Sequence, residues 1–132
     1  VSTQSTGTLM QTPTNKSLIL VANNIILDQN YTFLPGCAAI LNKIAEQNNH
    51  VMVCVKTTSD EIEEQVKKQF AQEVPSFKQH HIIFYEQDGS VYNVIRQINP
   101  NMSFHTEKQT FDEVQQFIPS YLVKEPISSY FK

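Results

Sequence analysis

Apolar residues in this chain fall either in short unbroken runs or in stripes of helical period. The runs from Leu18 to Ala22 and from Val51 to Val55 are each bounded by polar residues. Runs without alternation describe strands buried on both faces, since a half-exposed strand places a polar residue at every second position. His81 to Tyr85 predicts a third such strand, and Met102 to Thr106 a short fourth.

Between the runs the spacing turns helical. Cys37, Ile40, Leu41 and Ile44 form a stripe reaching about Gln47, with Pro35 suited to the first turn. Thr58 or Ser59 caps a second helix, with Asp60 and Glu61 in its first turn, where the dipole favours acids. Its inner stripe is Ile62, Val66 and Phe70, and Glu63–Lys67 and Glu64–Lys68 stand at i,i+4 on the wet side. A turn from Gln87 to Ser90 opens a third helix with Val91, Val94, Ile95 and Ile98 inward, ended by Pro100. Thr110 followed by Glu113 reads as a capping box for a fourth helix, with Val114, Phe117 and Ile118 inward and Pro119 closing it. The tail from Tyr121 is expected to form a helical turn and then a packed strand.

Strand and helix thus alternate four times, with strands apolar throughout. That pattern calls for an α/β fold: a mainly parallel sheet with helices on both faces, a small three-layer Rossmann-like sandwich with right-handed crossovers. Residues 1–16, rich in Ser, Thr and Gln without an apolar period, read as a flexible linker, and residues 17–132 as one domain.

Composition narrows the function classes. Leu, Ile, Val and Phe supply 38 of 132 residues, enough for a core. The net charge of -3 carries no basic footprint for nucleic acid. Asn and Gln number 23, as many as all charged residues, so the surface is mostly neutral and polar. No apolar run approaches the ~20 residues a bilayer requires. A chain opening on Val is expected to be a fragment or processed form, and an anchor upstream of Val1 would not be visible in it. The sequons at Asn15, Asn30 and Asn101 are no more than a chance harvest from so many Asn, Ser and Thr, and do not argue for secretion. Cys37 and Cys54 match no metal pattern, and Cys54, inside an apolar run, reads as a buried thiol.

In folds of this class ligands bind beyond the carboxyl ends of the strands. The loops there are Ala22 to Asn24, Lys56 to Ser59 and Glu86 to Gly89. The three glycines, Gly7, Gly36 and Gly89, form neither a dinucleotide fingerprint nor a phosphate loop, and no nucleophile elbow is present. His50, His80, His81 and His105 are scattered, and His80 and His81, placed at a strand entry, would point to opposite faces. No metal and no cofactor are expected. Asp60, Glu61, Asp112 and Glu113 fit helix-start electrostatics, and Asp88 a turn.

Leu18 to Asp28 resembles the first motif of the haloacid-dehalogenase phosphatases, an apolar strand running into Asp-x-Asp. Leu34 to Cys37 with the following helix and the Val51 to Thr57 strand is similar to that superfamily's second segment. The resemblance would put Thr57 at the hydroxyl position, Lys78 at the lysine and Glu86 or Asp88 near the last acids. It also puts Val21 at the nucleophile and Asn23 at the general acid. Valine cannot attack phosphorus, and an amide neither shuttles a proton nor holds Mg²⁺ as a carboxylate does. The alternative function on this side is a catalytically degenerate or weak phosphatase-like domain acting on or sensing a small ligand.

Residues His81 to Phe117, with the helix bearing Val94 to Ile98 followed by a polar strand and an amphipathic helix, resemble the soluble domain of the peroxin-22 family. The resemblance extends over nearly the whole chain from Ser17. It implies a non-enzymatic adaptor on the cytosolic face of the peroxisomal membrane, held by an N-terminal anchor outside this chain. The adaptor would tether a ubiquitin-conjugating enzyme and so support ubiquitination and recycling of the import receptor. From residue type alone, Tyr92 and Arg96, outward at i,i+4 on the third helix, are the expected partner-binding pair, since Tyr and Arg are enriched in interface hot spots. The simpler reading is an arginine stacked on its neighbouring ring. Tyr121, Tyr130 and Phe131 are a second candidate surface, set against docking onto their own domain.

Overall fold

The computed structural model describes residues 14–47, 49–87 and 89–131; most of the expected linker and the turn residue Asp88 lie outside the described residues. Five strands and four α-helices follow in the order β1 (Ser17–Val21), α1 (Cys37–Glu46), β2 (His50–Lys56), α2 (Asp60–Glu73), β3 (Ile82–Tyr85), α3 (Gly89–Ile98), β4 (Met102–His105), α4 (Lys108–Val114) and β5 (Ser120–Leu122). All strand pairs are parallel, in the order β3-β2-β1-β4-β5. The result is the three-layer Rossmann-like sandwich.

The two-residue period of a strand divides the core. Leu18 and Leu20 of β1, with Val51, Val53 and Val55 of β2, pack under α1, α2 and the C-terminal segment around Ile127 and Phe131. Ile19 and Val21, with Met52 and Cys54, pack under α3 and α4 through Val91, Ile95, Val114 and Ile118. Both faces of β1 and β2 are therefore apolar, which is why neither strand alternates. Burial of each such Leu, Ile or Val contributes roughly 1.5–3 kcal/mol, so the central strands anchor the fold.

The helix boundaries follow local chemistry. Ser59 caps α2 by accepting from the Ile62 N–H at 3.3 Å. Gly36 precedes α1 with φ 79°, a left-handed turn that Pro35 could not make, so Pro35 stands outside the helix instead of in its first turn. Asn99 ends α3 at φ 51°, its N–H bonded to Ile95 O at 2.7 Å. On α2, Lys67 meets Glu64 at 3.5 Å, an i,i+3 pair.

Three expectations need correction in the last third of the chain. The helix there starts at Lys108 with Glu107 in the cap position, so Thr110 lies inside it, buried, and is no cap. The helix ends at Val114, and residues 115–117 form a turn, so the helical phase that would carry Phe117 inward is lost and the residue is 53% exposed. The tail reverses the expected order, strand β5 coming first and a 3-10 turn (Ile127–Ser129) after it. At the other end, Lys16 is bonded on both sides, its N–H to Asn49 Oδ1 and its carbonyl accepting from the His50 N–H, each at 2.8 Å.

Candidate functional site

From β1 the chain moves one way to β2 and β3, then returns to place β4 and β5 on the other side. The crevice at the carboxyl ends of β1 and β4 is therefore the topological switch point where such sheets hold ligands. Here it is filled. Val21, Tyr85, Val91, His105, Glu107 and Thr110 close around a cavity of about 10 Å³, room for about one water molecule.

Several polar groups around this crevice are turned to internal use, while Glu107 at its rim is exposed. The Asn23 carboxamide spans to the end of β2, its Oδ1 accepting from the Lys56 N–H at 2.8 Å and its Nδ2 donating to the Lys56 carbonyl at 3.3 Å. Tyr31 OH donates to the same carbonyl at 2.9 Å. A carboxylate at residue 23 could make only the first bond, so the amide is the structural choice. Thr57, buried, accepts from the Ser59 N–H at 3.1 Å.

Beneath the crevice runs a buried chain of hydroxyls. Ser120 Oγ donates to Ile118 O at 3.1 Å, which leaves it to accept from Ser103 Oγ at 3.1 Å. Ser103, its proton spent, accepts from His105 Nε2 at 2.7 Å. The chain thus selects the Nε2–H tautomer, and Nδ1 is left as a buried acceptor without a partner. His105 is fully buried, and burial holds its pKa down at about 4, so the imidazole is neutral near pH 7. Cys54, at the carboxyl half of β2, is pushed up to about 12 by burial and is an inert thiol.

The phosphatase-like set does not assemble. Val21, Asn23 and Thr57 stand near the carboxyl ends of the strands, whereas Lys78 lines a 340 Å³ cavity with His50 and Val51 at the amino end of β2. Glu86 is exposed after β3, and Asp88 lies outside the described residues.

That opposite end gathers histidines that looked scattered in the sequence. His80 and His81 occupy a 3-10 turn, where strand alternation does not apply, and their rings meet at 4.4 Å. His50 meets His81 at 4.6 Å. Burial, then the charges of His50, His80 and Lys78, hold the His81 pKa down, against a bond to the Val51 backbone. Among the described residues no group of three or more His, Cys, Asp or Glu side chains converges on a metal position.

The residues chosen by type, Tyr92 and Arg96, do come together. Arg96 Nη1 donates to Tyr92 OH at 3.1 Å, one turn apart on α3. The guanidinium also lies 4.2 Å from the centre of the Phe117 ring, which meets Tyr92 edge-on at 6.3 Å. Phe117 is, among the described residues, the exposed large hydrophobic side chain. Sequence reasoning missed it by extending the α4 stripe; the signal available was Pro119, two residues on, after the polar pair Gln115 and Gln116. Arg96 rests on two rings with no carboxylate within ion-pair reach among the described residues. Phe117 also lines a 610 Å³ groove with Asp112, Ile118, Pro119, Ser120 and Tyr121.

The second candidate surface docks on its own domain. Tyr121 stacks on Phe104 at 5.0 Å, Phe131 packs on the same ring at 5.6 Å, and Tyr130 OH accepts from the Lys124 N–H at 3.3 Å. No helix among the described residues is long and apolar enough to cross a membrane. Compared with known proteins, the chain matches no family model and no curated sequence.

Proposed function

We propose that this chain is a non-catalytic adaptor domain whose partner surface is the corner formed by Tyr92, Arg96 and Phe117. The observation that carries the reading is the Arg96 guanidinium, laid on Phe117 at 4.2 Å and bonded to Tyr92. An exposed ring and a charge held in one geometry lose little conformational entropy on binding, which is what an interface anchor requires. The switch-point crevice supports the same reading from the other side. A phosphatase-like or small-ligand domain needs space and free polar groups at the strand ends, and here Val21 and the Asn23–Lys56 bonds occupy that position.

The class of partner comes from the resemblance of His81 to Phe117, and of the α/β scaffold around it, to the peroxin-22 family. On that reading the domain holds a ubiquitin-conjugating enzyme at the cytosolic face of the peroxisomal membrane and supports ubiquitination and recycling of the import receptor. The membrane attachment belongs to an N-terminal anchor outside this chain. Calorimetry of the purified chain against a purified peroxisomal ubiquitin-conjugating enzyme tests it, with an unrelated conjugating enzyme as control. The expected result is a one-to-one complex at about micromolar Kd or tighter with the peroxisomal enzyme alone. Equal binding of both enzymes, or of neither, contradicts the reading.

A further inference from the structure

The two edges of the sheet are not alike. In a parallel pair, alternate residues of an edge strand turn both backbone groups towards the neighbour and the others turn them away. Pro119 O accepts from the Ser103 N–H at 3.1 Å, and the Val123 N–H donates to His105 O at 2.8 Å. With Ser103 opposite Ser120 and His105 opposite Leu122, the inward positions are 119, 121 and 123. The N–H and C=O of Ser120, itself buried, and of half-buried Leu122 therefore face away from β4, and no described residue pairs with them. At the other edge the Thr57 N–H bonds to Tyr85 O at 2.9 Å, so Ile82 and Phe84 face outward. There Lys67 of α2 holds its ammonium over the Phe84 ring at 5.9 Å, a positive charge beside that edge strand. The β5 edge has instead a groove of 610 Å³ along Pro119, Ser120 and Tyr121, with Phe117 exposed at its rim. Arg96 lies across that ring without a carboxylate partner among the described residues.

We infer that β5 is the docking edge of this domain: an extended segment of the partner pairs with the outward backbone of Ser120 and Leu122 as a sixth strand, and a carboxylate of that segment meets Arg96 over Phe117. The occupant follows from what the edge lacks. Outward N–H and C=O groups at alternate residues are matched by an extended backbone and not by a helix, whose own groups are spent internally. The cation at the rim supplies the sign of the side chain, and a charge-assisted bond to guanidinium favours a carboxylate. The inference rests on the adaptor reading and specifies how that partner is held.

The test combines amide exchange with two substitutions at one residue, using the full chain and the purified peroxisomal ubiquitin-conjugating enzyme. In the complex the Leu122 amide is expected to exchange at least about tenfold more slowly than in the free chain, with Ile82 and Phe84 unchanged. Leu122→Pro removes the outward N–H while sparing the bonds to β4, a placement proline tolerates on edge strands. Leu122→Ala removes the side chain and keeps the N–H. Loss of one hydrogen bond predicts that Leu122→Pro binds about tenfold more weakly than Leu122→Ala. If the enzyme binds while the Leu122 amide is not slowed and the two variants bind alike, strand addition is overturned and the adaptor reading stands. If the wild-type chain binds no enzyme, the adaptor reading itself has failed. Should Leu122→Pro lose its cooperative melt, exchange in the wild-type complex decides.

Discussion

The switch-point crevice and the α3–α4 corner use the same residue types to opposite ends. Around the crevice Asn23 is bonded to Lys56, Thr57 to Ser59, and the His105–Ser103–Ser120 chain to Ile118, with His105 Nδ1 left as a buried acceptor. At the corner Arg96 and Tyr92 satisfy one another only in part, and Phe117 stays in water. A usual ligand position that is closed, and an exposed large apolar side chain that lies elsewhere among the described residues, are what support the proposal of a function on the flank. The contrast also shows why motif resemblance and site can separate. The apolar strand and its following loop are needed by the sheet whether or not they carry an acid.

The largest effect expected is from Val21→Asp. If the crevice is sealed, this carboxylate is desolvated, and the variant loses at least about 3 kcal/mol of stability in urea unfolding. A loss under about 1 kcal/mol would mean the crevice opens to water. The pH dependence of stability comes next. His105 is held at about 4 in the folded chain, below its unfolded value, so below about pH 6.5 the unfolded chain binds the extra proton. Stability is thus fully present above pH 6.5 and falls as pH drops towards 4, by roughly 3 kcal/mol from this residue. His81, lowered in the same direction, adds to the same slope. His105→Gln should flatten the profile in that window, whatever its effect at pH 7, and an unchanged slope would remove His105 from the account.

At the corner, Arg96→Ala and Phe117→Ala should each weaken partner binding by about ten- to a hundredfold while changing stability by less than about 0.5 kcal/mol. A matching loss of stability would make the cluster a structural stack and not an anchor. The smallest effect belongs to Asn23→Asp, which forfeits the bond from Nδ2 to the Lys56 carbonyl and is expected to cost about 1 kcal/mol in thermal or urea unfolding. A stabilised variant would show that the amide is not chosen for that bond.

The fold was legible where burial alone dictates the sequence. The unbroken runs at Leu18 to Ala22 and Val51 to Val55 fit strands covered on both faces, and the stripes at Leu41, Ile44, Val66 and Phe70 on one side and Val91 and Ile95 on the other are the covers. Legibility fails where a short element is decided by its neighbours. Thr110 has the residue type of a cap, yet it lies inside the fourth helix, lining the crevice beside His105, because the chain begins that helix at Lys108. Strand β5 has three residues, too few to show a period, and it exists because β4 offers an edge. Tyr92 and Arg96 could be singled out from type and spacing. Phe117 is legible only through Pro119 and the polar pair before it, since its exposure depends on where α4 stops. The histidine group at the amino end of the sheet was likewise hidden, because His50 and His81 meet only through the pairing of β2 and β3.

The central claim, that binding lies on the flank and not at the strand ends, reduces to one calorimetric comparison. The purified peroxisomal ubiquitin-conjugating enzyme is titrated into the wild-type chain, Asn23→Asp and Arg96→Ala. The account predicts equal affinity for wild type and Asn23→Asp, and at least about a tenfold loss for Arg96→Ala. Loss of binding in Asn23→Asp with none in Arg96→Ala would place the function back in the crevice and contradict it.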